Sequence, residues 1–276
     1  MRNNARPKFL VADAGMTGAN FAVAETGSFV VCTNEGNADL TASIPPLHIA
    51  SIGIEKILPK KEDLGVFIRL LSRSALGTPA TQYTSHFSGP RKGSEMHIVL
   101  TDNGRSKRLS MDKFWESLKC IRCGACMNVC PVYRRSGGLS YGATYSGPIG
   151  IILDPTFDMD MYSELPFHSS LCGSCTEVCP VHINISDQIL EWRKVMMENK
   201  KTPFGRRLAF AAADRLLGSP KAFEKMEKTA FNMLNILPKS ILENSKLDPW
   251  VEDRELPDVK KETFRDWYKK NRSKND

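Results

Sequence analysis

Residues 120–131 read CIRCGACMNVCP, the most informative stretch of the chain. Its four cysteines are separated by two, two and three residues and are followed by a proline, a spacing that ligates iron-sulfur clusters. Three thiolates at intervals of three residues can surround one cluster, while the fourth, redirected by the proline, points toward a second cluster. We therefore expect Cys120, Cys123 and Cys126 to bind cluster 1, and Cys130 to bind cluster 2.

A second run, CGSCTEVCP at residues 172–180, supplies the remaining ligands. By the same logic Cys172 and Cys175 join Cys130 on cluster 2, and Cys179, which precedes Pro180, completes cluster 1. The seven cysteines thus give cluster 1 four thiolates and cluster 2 three.

Ser169 occupies the position at which a complete second run would begin. Cluster 2 therefore takes Ser169 or another oxygen as its fourth ligand, or has an open corner. A site with three thiolates can hold a 4Fe-4S cluster with one open iron, or a 3Fe-4S cluster. The sequence favours 4Fe-4S and leaves the 3Fe-4S alternative open.

Other cysteine chemistry fits this pattern less well. Zinc sites close with four ligands, commonly from two clean pairs, whereas here the runs contain four and three cysteines. Eight cysteines in 276 residues do not make a disulfide scaffold. The eighth, Cys32, lies in the apolar stretch 29–32 and is predicted to be a buried strand residue.

Composition narrows the class of protein. The chain has 38 basic and 31 acidic residues, a formal net charge of +7, but its basic residues are scattered in short pairs without interleaved aromatic residues. This distribution argues against nucleic-acid binding. No apolar stretch approaches the roughly 20 residues that span a bilayer, and Asp13 interrupts the apolar run at residues 9–12 too early for a signal peptide. Oxidant-sensitive thiolates without an export signal indicate the cytoplasm.

The first hundred residues have an α/β pattern. Short apolar stretches predict strands at Phe29–Thr33, His48–Ile52 and Met96–Thr101, and apolar residues at helical spacing predict a helix starting near Leu64. Residues 78–94, rich in Thr, Ser, Gly and Pro, are predicted to be a loop. The pattern changes near Asn103. We place domains at residues 1–105, 106–198 and 199–276.

The remainder of the chain is predicted to be mostly helical. A short helix over Met111–Leu118 leads into the first cysteine run, and a helix over Ile185–Met197 follows the second, its Met and Trp residues serving for packing. Two basic helices follow, with Pro203 at the first position of one and Pro220–Asn235 forming the other. They could pack on the cluster domain, or dock a partner subunit or a membrane surface. In the charged end, Phe264, Trp267 and Tyr268 are predicted anchors.

The glycine-rich stretch 137–150 lies between the cysteine runs. Glycine allows backbone N–H groups to approach cluster sulfur closely, which stabilises the reduced state and raises the reduction potential. The alternative is a flexible loop. Replacing Gly147 distinguishes the two.

At these motifs and their flanks the sequence resembles the LutB-like (LldF-like) iron-sulfur proteins of lactate utilisation. The resemblance covers nearly the whole chain. It is carried by residues 12–15, 18–27 and 33–37, Asp102-Asn103-Gly104-Arg105-Ser106, residues 120–126, 137–138, 141–142 and 147–150, Leu171-Cys172-Gly173-Ser174-Cys175, and Phe264-Arg265-Asp266-Trp267.

The resemblance implies an α+β protein. Its parts would be the C-terminal part of an α/β LUD (CoA-transferase-like) domain, an α-helical two-cluster ferredoxin module, and a helical C-terminal tail. Family members begin with a further part of the LUD domain, which this sequence lacks. We therefore expect exposed strand edges, with poor solubility or an obligatory partner if the chain is complete. The seven cysteine ligands of the family correspond to the seven cysteines above, and the family also has Ser-like residues near Ser169.

The functional prediction is an electron-carrying subunit that is not a catalyst by itself. The resemblance implies oxidation of L-lactate to pyruvate together with a cysteine-rich partner and a second LUD-domain partner. The sequence contains no dinucleotide fingerprint, flavin site or convincing acid-base pair, so the chemistry would belong to a partner. Alternatives are an iron-sulfur subunit of another oxidoreductase, of heterodisulfide or glycolate type, and a cluster-based sensor that uses an open iron of cluster 2.

Overall fold

The computed structural model describes residues 2–238 and 262–272. The chain packs as two units, Met1–Lys201 and Thr202–Asp276. The first unit contains all seven strands of the described residues and every cysteine. The protein is a mixed α and β structure with an α-helical cluster-binding region, in agreement with the predicted fold class; the domain boundaries stay a prediction.

Two small sheets form the N-terminal part. The strands are β1 to β7 in chain order, at Ala14–Gly18, Phe21–Val23, Ser28–Thr33, Leu47–Gly53, Ile57–Leu58, Tyr83–Phe87 and Glu95–Thr101. One sheet is parallel with the order β1-β4-β7, and the other has the order β5-β2-β3-β6, in which β3 pairs antiparallel with β2 and β6. The three predicted strands are confirmed as β3, β4 and β7. Four more were not predicted.

Strand β4 is the middle strand of the parallel sheet, and buried and half-buried side chains alternate along it. His48, Ala50 and Ile52 are buried while the residues between them are half-buried, because successive side chains of a strand point to opposite faces of the sheet. The edge strand β7 exposes Ile98, Val99 and Leu100.

The prediction of a loop over residues 78–94 is wrong in its centre. Residues 83–87 form β6, which pairs with β3, and the Phe87 ring stacks on Phe29 with 5.0 Å between centroids. Pairing with a buried neighbouring strand outweighs the weak local propensity of this polar stretch. The predicted helix near Leu64 is confirmed.

Helices dominate after the sheets. In chain order α1 to α12 are Arg2–Leu10, Asn37–Ser43, Leu64–Leu76, Arg105–Leu109, Ala125–Val129, Pro131–Ser136, Gly147–Leu153, Ser174–Glu177, Ile185–Glu198, Phe204–Leu217, Pro220–Ile236 and Phe264–Arg272. Five short 3-10 helices lie at Ile54–Lys56, Trp115–Lys119, Leu139–Tyr141, Asp154–Thr156 and Leu165–His168. Within the described residues, no helix combines the length and apolar character needed to cross a membrane.

Several helix predictions need correction. The helix expected over residues 111–118 is a 3-10 helix that starts only at Trp115, and Pro203 caps α10 instead of occupying its first turn. The helices predicted at Ile185 and Pro220 are confirmed.

In the tail, Phe264, Trp267 and Tyr268 are 73%, 47% and 43% exposed, so they are not buried anchors. The Phe264 ring stacks instead on the other two, at 5.9 and 5.8 Å. The rest of the predicted tail, residues 248–261 and 273–275, lies outside the described residues.

The cluster-binding region has its own core. Trp192 and Met196 of α9 are 1% and 0% exposed, which confirms that this helix packs inward. Around them lie the buried isoleucines of α7 and the turn before α9, and the same core contains Cys126, Cys175 and Cys179. The cysteines are therefore part of the packed interior.

Candidate iron-sulfur centre

The two cysteine runs fold alike. Each contains a left-handed residue two before a left-handed glycine: Arg122 (φ 63°) with Gly124 (φ 77°), and Leu171 (φ 55°) with Gly173 (φ 84°). Each glycine caps a short helix, α5 or α8. Left-handed backbone is uncommon for residues other than glycine and tends to occur at functional sites. The repeat was not predicted, although the parallel spacing of the two runs was visible in the sequence.

This repeat gives Ser169 a structural equivalent. Ser169 stands two residues before Leu171, as Cys120 stands two before Arg122. The Ser169 hydroxyl accepts a hydrogen bond from the Leu171 N–H at 3.2 Å, and its carbonyl accepts one from Arg193 at 2.5 Å. The oxygen is therefore held in the loop position that a thiolate occupies in the first run.

Four thiols line a single cavity. Cys120, Cys123, Cys126 and Cys179 surround a space of about 180 Å³, called the first cavity here, which is the set predicted for cluster 1. Its remaining wall is mostly apolar and includes Met127, Ile149, Val181, Ile183 and Ile185. Soft thiolate donors in a largely dry, apolar cavity suit an iron-sulfur cluster, so the residues present fit the cofactor.

The other three predicted ligands also lie near one another. Cys175 is close enough to Cys172 and Cys130 for their charges to raise its pKa, in addition to the larger effect of burial. Cys172 is exposed, Cys130 half-buried and Cys175 buried. Cluster 2 would therefore be closer to solvent than cluster 1. Within residues 2–238 and 262–272, no three His, Cys, Asp or Glu side chains converge closely enough to hold a single metal ion.

Backbone N–H groups point at the sulfurs of three predicted ligands. The Tyr133 N–H donates to Cys130 Sγ and the Ile183 N–H donates to Cys179 Sγ, both at 3.4 Å. A further N–H, from Ile149 in α7, donates to the sulfur of Cys126 and lowers its pKa. Hydrogen bonds to cluster sulfurs stabilise the reduced, more negative state.

Burial makes four of the predicted ligand thiols weaker acids. It raises the pKa of Cys126 to about 12 and is the largest cause of the raised pKa values of Cys120, Cys123 and Cys175. At Cys172, hydrogen bonds with Ser174 lower the pKa instead. Buried thiols of this kind stay protonated until a metal displaces the proton, so ligation and proton release are coupled.

One basic side chain, Arg122, lies in the wall of the first cavity, and a second, Arg108, is buried near Asp154. The Arg122 guanidinium lies 4.3 Å from the centre of the Tyr145 ring, and Arg108 is only 4% exposed. Burial raises the pKa of the nearby Asp154 carboxyl to about 7, and these two arginines act to lower it. The positive charge of Arg122 also acts to lower the pKa of the Cys120 thiol, against the larger effect of burial.

The prediction for the eighth cysteine is confirmed in part. Cys32 lies in β3, as expected, but is half-buried. Burial raises its pKa above the ordinary value.

Comparison with known proteins agrees with this layout. The LUD domain family matches residues 1–109, the 4Fe-4S dicluster domain family residues 116–183, and the C-terminal domain of lactate utilisation protein B residues 189–273. Lactate utilization protein B of Bacillus cytotoxicus is 44% identical over 290 residues, covering 100% of this chain and 60% of that protein. The proteins of the same name from Bacillus thuringiensis and Bacillus cereus are 44% identical over 283 residues, covering 98% of this chain and 59% of theirs.

A duf162 family protein from Deinococcus radiodurans, whose crystal structure is known, is 21% identical, with a TM-score of 0.26 over 34% of this chain and 56% of that chain. Taken with the site, the family matches define the class: an iron-sulfur protein that joins LUD-type structure to a 4Fe-4S dicluster domain. Within that class, the chain belongs to the LutB-like family of lactate-utilisation iron-sulfur proteins. It spans about 60% of the length of the curated relatives that it matches.

Gly147→Ala tests whether the glycine-rich stretch tunes cluster 1. Gly147 has φ +70°, and an added Cβ would lie 2.4 Å from Met127 Cγ in the wall of the first cavity. We expect the start of α7 to shift and the Ile149 N–H to move away from Cys126. The midpoint potential of cluster 1 should then fall, measured by a redox titration followed by EPR.

Gly142→Ala is the matched control for this experiment. Gly142 has a similar φ of +61°, but an added Cβ would meet nothing within 4 Å. It should leave the potential unchanged. The alternative of a flexible loop is wrong at this position, because Gly147 begins α7. Equal potentials in wild type and both variants would mean that the glycine-rich stretch does not influence the cluster.

Proposed function

We propose that this protein is an electron-transfer subunit of a multi-protein oxidoreductase that oxidises L-lactate to pyruvate. The observation that carries the proposal is the meeting of Cys120, Cys123, Cys126 and Cys179 around one cavity. The lactate-utilisation names of the relatives support the choice of substrate. A cysteine-rich subunit and a second LUD-domain subunit would be its partners, and the cytoplasm its compartment.

In this proposal the cysteines hold two clusters. Cys120, Cys123, Cys126 and Cys179 ligate cluster 1, while Cys130, Cys172 and Cys175 ligate cluster 2, with an oxygen or an open corner at the Ser169 position. When bound, such clusters accept and release single electrons at potentials that depend on charge, hydrogen bonds and exposure.

The chain's own residues would set those conditions. The N–H groups of Tyr133, Ile149 and Ile183 stabilise negative charge on sulfur, and Arg122 adds positive charge beside the first cavity. The apolar wall limits the access of water to cluster 1. Cys172 is exposed, so a cluster 2 bound there would be near the surface, where electrons can pass to or from a partner.

Purification of the chain with its partner subunits from cells grown on L-lactate tests this function. The complex should reduce an artificial electron acceptor when L-lactate is added. A complex that contains Cys126→Ser should assemble but lose this activity, because cluster 1 is missing.

The choice of substrate separates this proposal from its rivals. Reduction with glycolate but not with lactate would assign the chain to another oxidoreductase. Activity that survives the loss of cluster 1 would contradict an electron-transfer role.

A further inference from the structure

Ser169 has a structural counterpart in Cys120, and the match extends to the backbone around both residues. A 3-10 helix leads directly into each of them, Trp115–Lys119 into Cys120 and Leu165–His168 into Ser169. Both residues then turn the chain into extended backbone, with ψ 116° at Cys120 and 140° at Ser169. The two runs are therefore alike from their first residue onward, although only one of them begins with a cysteine.

The side chains of these two residues accept a hydrogen bond from the same backbone position. The Arg122 N–H donates to the sulfur of Cys120, and the Leu171 N–H donates to Ser169 Oγ at 3.2 Å. Each donor is the left-handed residue two positions further along the chain. Because the equivalent bond orients both side chains, Ser169 Oγ is directed from its loop in the same way as the Cys120 sulfur, which lines the first cavity.

The predicted ligand sets have the same symmetry as the two runs. Cluster 1 takes the first three ligand positions of the first run and the last position of the second. Exchanging the runs gives cluster 2 its three cysteines and leaves one corner, at Ser169. Ser169 is half-buried, as are the predicted ligands Cys120 and Cys130. Its oxygen therefore occupies the ligand position of cluster 2 that has no thiol.

Arg193 holds the backbone of Ser169 from a neighbouring helix. From α9 it donates through Nε to the Pro166 carbonyl at 2.8 Å and through a terminal nitrogen to the Ser169 carbonyl at 2.5 Å. Its guanidinium carbon lies 5.7 Å from the centre of the Phe167 ring. A planar guanidinium that bonds two carbonyls fixes their relative positions. Ser169 is thus held at its backbone by Arg193 and at its side chain by Leu171.

Ser170 is a second hydroxyl near this corner, but its contacts differ. Hydrogen bonds with Ser174, followed by one with the Ser170 hydroxyl, lower the pKa of Cys172. Ser170 is exposed and corresponds to Ile121 of the first run, whose side chain has no ligand atom. The Ser170 oxygen therefore supports a predicted ligand, whereas the Ser169 oxygen stands in a ligand position.

We propose that the Ser169 oxygen is the fourth ligand of cluster 2, positioned by Arg193 and by the Leu171 N–H. This inference rests on the proposed function and names the ligand at a corner that it leaves open. The hydroxyl loses its proton to solvent as the iron–oxygen bond forms, so no atom is oxidised or reduced. Oxygen is a harder donor than thiolate and suits cluster iron less well, so the iron at this corner is the one that leaves first on oxidation.

Ser169→Ala and Ser169→Cys, compared with wild type as anaerobically purified chains, test the proposal. Wild type should hold about eight irons per chain, and Ser169→Cys the same number with a thiolate at the corner. Ser169→Ala should hold about seven irons and give an oxidised 3Fe-4S EPR signal. If Ser169→Ala keeps its iron, 2-mercaptoethanol should change the EPR spectrum of reduced cluster 2 in this variant and not in wild type, because an open iron binds the added thiol.

Ser170→Ala is the matched control, the same substitution one residue further on. It should keep all its iron and, like wild type, should not respond to 2-mercaptoethanol. Arg193→Met should assemble both clusters but convert cluster 2 to the 3Fe-4S form about tenfold faster than wild type during ferricyanide oxidation, followed by EPR. Lys194→Met, on the same helix, removes an exposed side chain that pairs with Glu191 and should match wild type.

The failures of the two proposals differ. A chain without iron would overturn the proposed function, and with it any ligand at Ser169. In a chain with both clusters, an EPR response of wild type to 2-mercaptoethanol, or a wild type with about seven irons, would overturn the serine ligand alone. Identical iron content and thiol response in wild type and Ser169→Ala would do the same, since the hydroxyl would then serve only the loop.

Discussion

Cys126→Ser should remove cluster 1 and reduce the iron content from about eight atoms per chain to about four. Cys126 is 9% exposed, lines the first cavity and belongs to the core of the cluster-binding region. A serine hydroxyl is a poor substitute for a thiolate toward iron, and the buried site offers no replacement ligand from solvent. Iron and acid-labile sulfide, measured on anaerobically purified protein, give the result directly.

Cys32→Ser is the matched control for this change. Cys32 is in β3, outside both cysteine runs, so its replacement should leave all the iron in place. Cys175→Ser should remove cluster 2 and leave cluster 1. Full iron content in Cys126→Ser, or loss of iron in Cys32→Ser, would contradict the assignment of ligands.

Trp192→Ala should destabilise the cluster-binding region by about 3–5 kcal/mol, the usual cost of deleting a buried tryptophan. Trp192 is 1% exposed, stacks on Phe114 with 4.2 Å between ring centroids, and donates from Nε1 to the Ile152 carbonyl at 3.1 Å. Its removal would leave a cavity in the core that contains Cys126, Cys175 and Cys179. Anaerobic urea unfolding, followed by loss of visible cluster absorbance, should show a much lower midpoint.

Two further variants show whether the loss of stability comes from the buried packing of Trp192 or from replacing any tryptophan in this region. Trp192→Phe keeps an aromatic ring but loses the hydrogen bond to Ile152. Its urea midpoint should therefore lie between those of wild type and Trp192→Ala. Trp115 is 38% exposed, and its ring contacts Lys119, so Trp115→Ala should have a small effect. An unchanged midpoint for Trp192→Ala would show that cluster binding does not depend on this core.

The parts of the structure that could be predicted are those marked by a local sequence pattern. The spacing of the cysteines predicted which thiols belong together, and the four thiols predicted for cluster 1 meet at one cavity. Apolar periodicity was sufficient for β3, β4, β7 and the helix containing Trp192. Assignment of the thiols as cluster ligands stays a prediction until iron is measured.

The parts that could not be predicted depend on contacts between distant residues. Strand β6 forms because residues 83–87 pair with β3, about fifty residues earlier in the chain. The Glu55–Arg105 pair likewise joins residues separated by fifty positions. Local propensity contains no information on such pairs. A cavity lined by Glu55, Phe67 and Cys120 likewise depends on residues that are far apart in the sequence.

Anaerobic purification, followed by iron and sulfide analysis and by EPR before and after dithionite, shows directly whether the chain holds two iron-sulfur clusters. We predict about eight irons per chain and signals of reduced 4Fe-4S clusters after dithionite. About seven irons with an oxidised 3Fe-4S signal would mean that the Ser169 corner of cluster 2 is empty. Zinc in place of iron would contradict the assignment of these cysteines to iron-sulfur clusters.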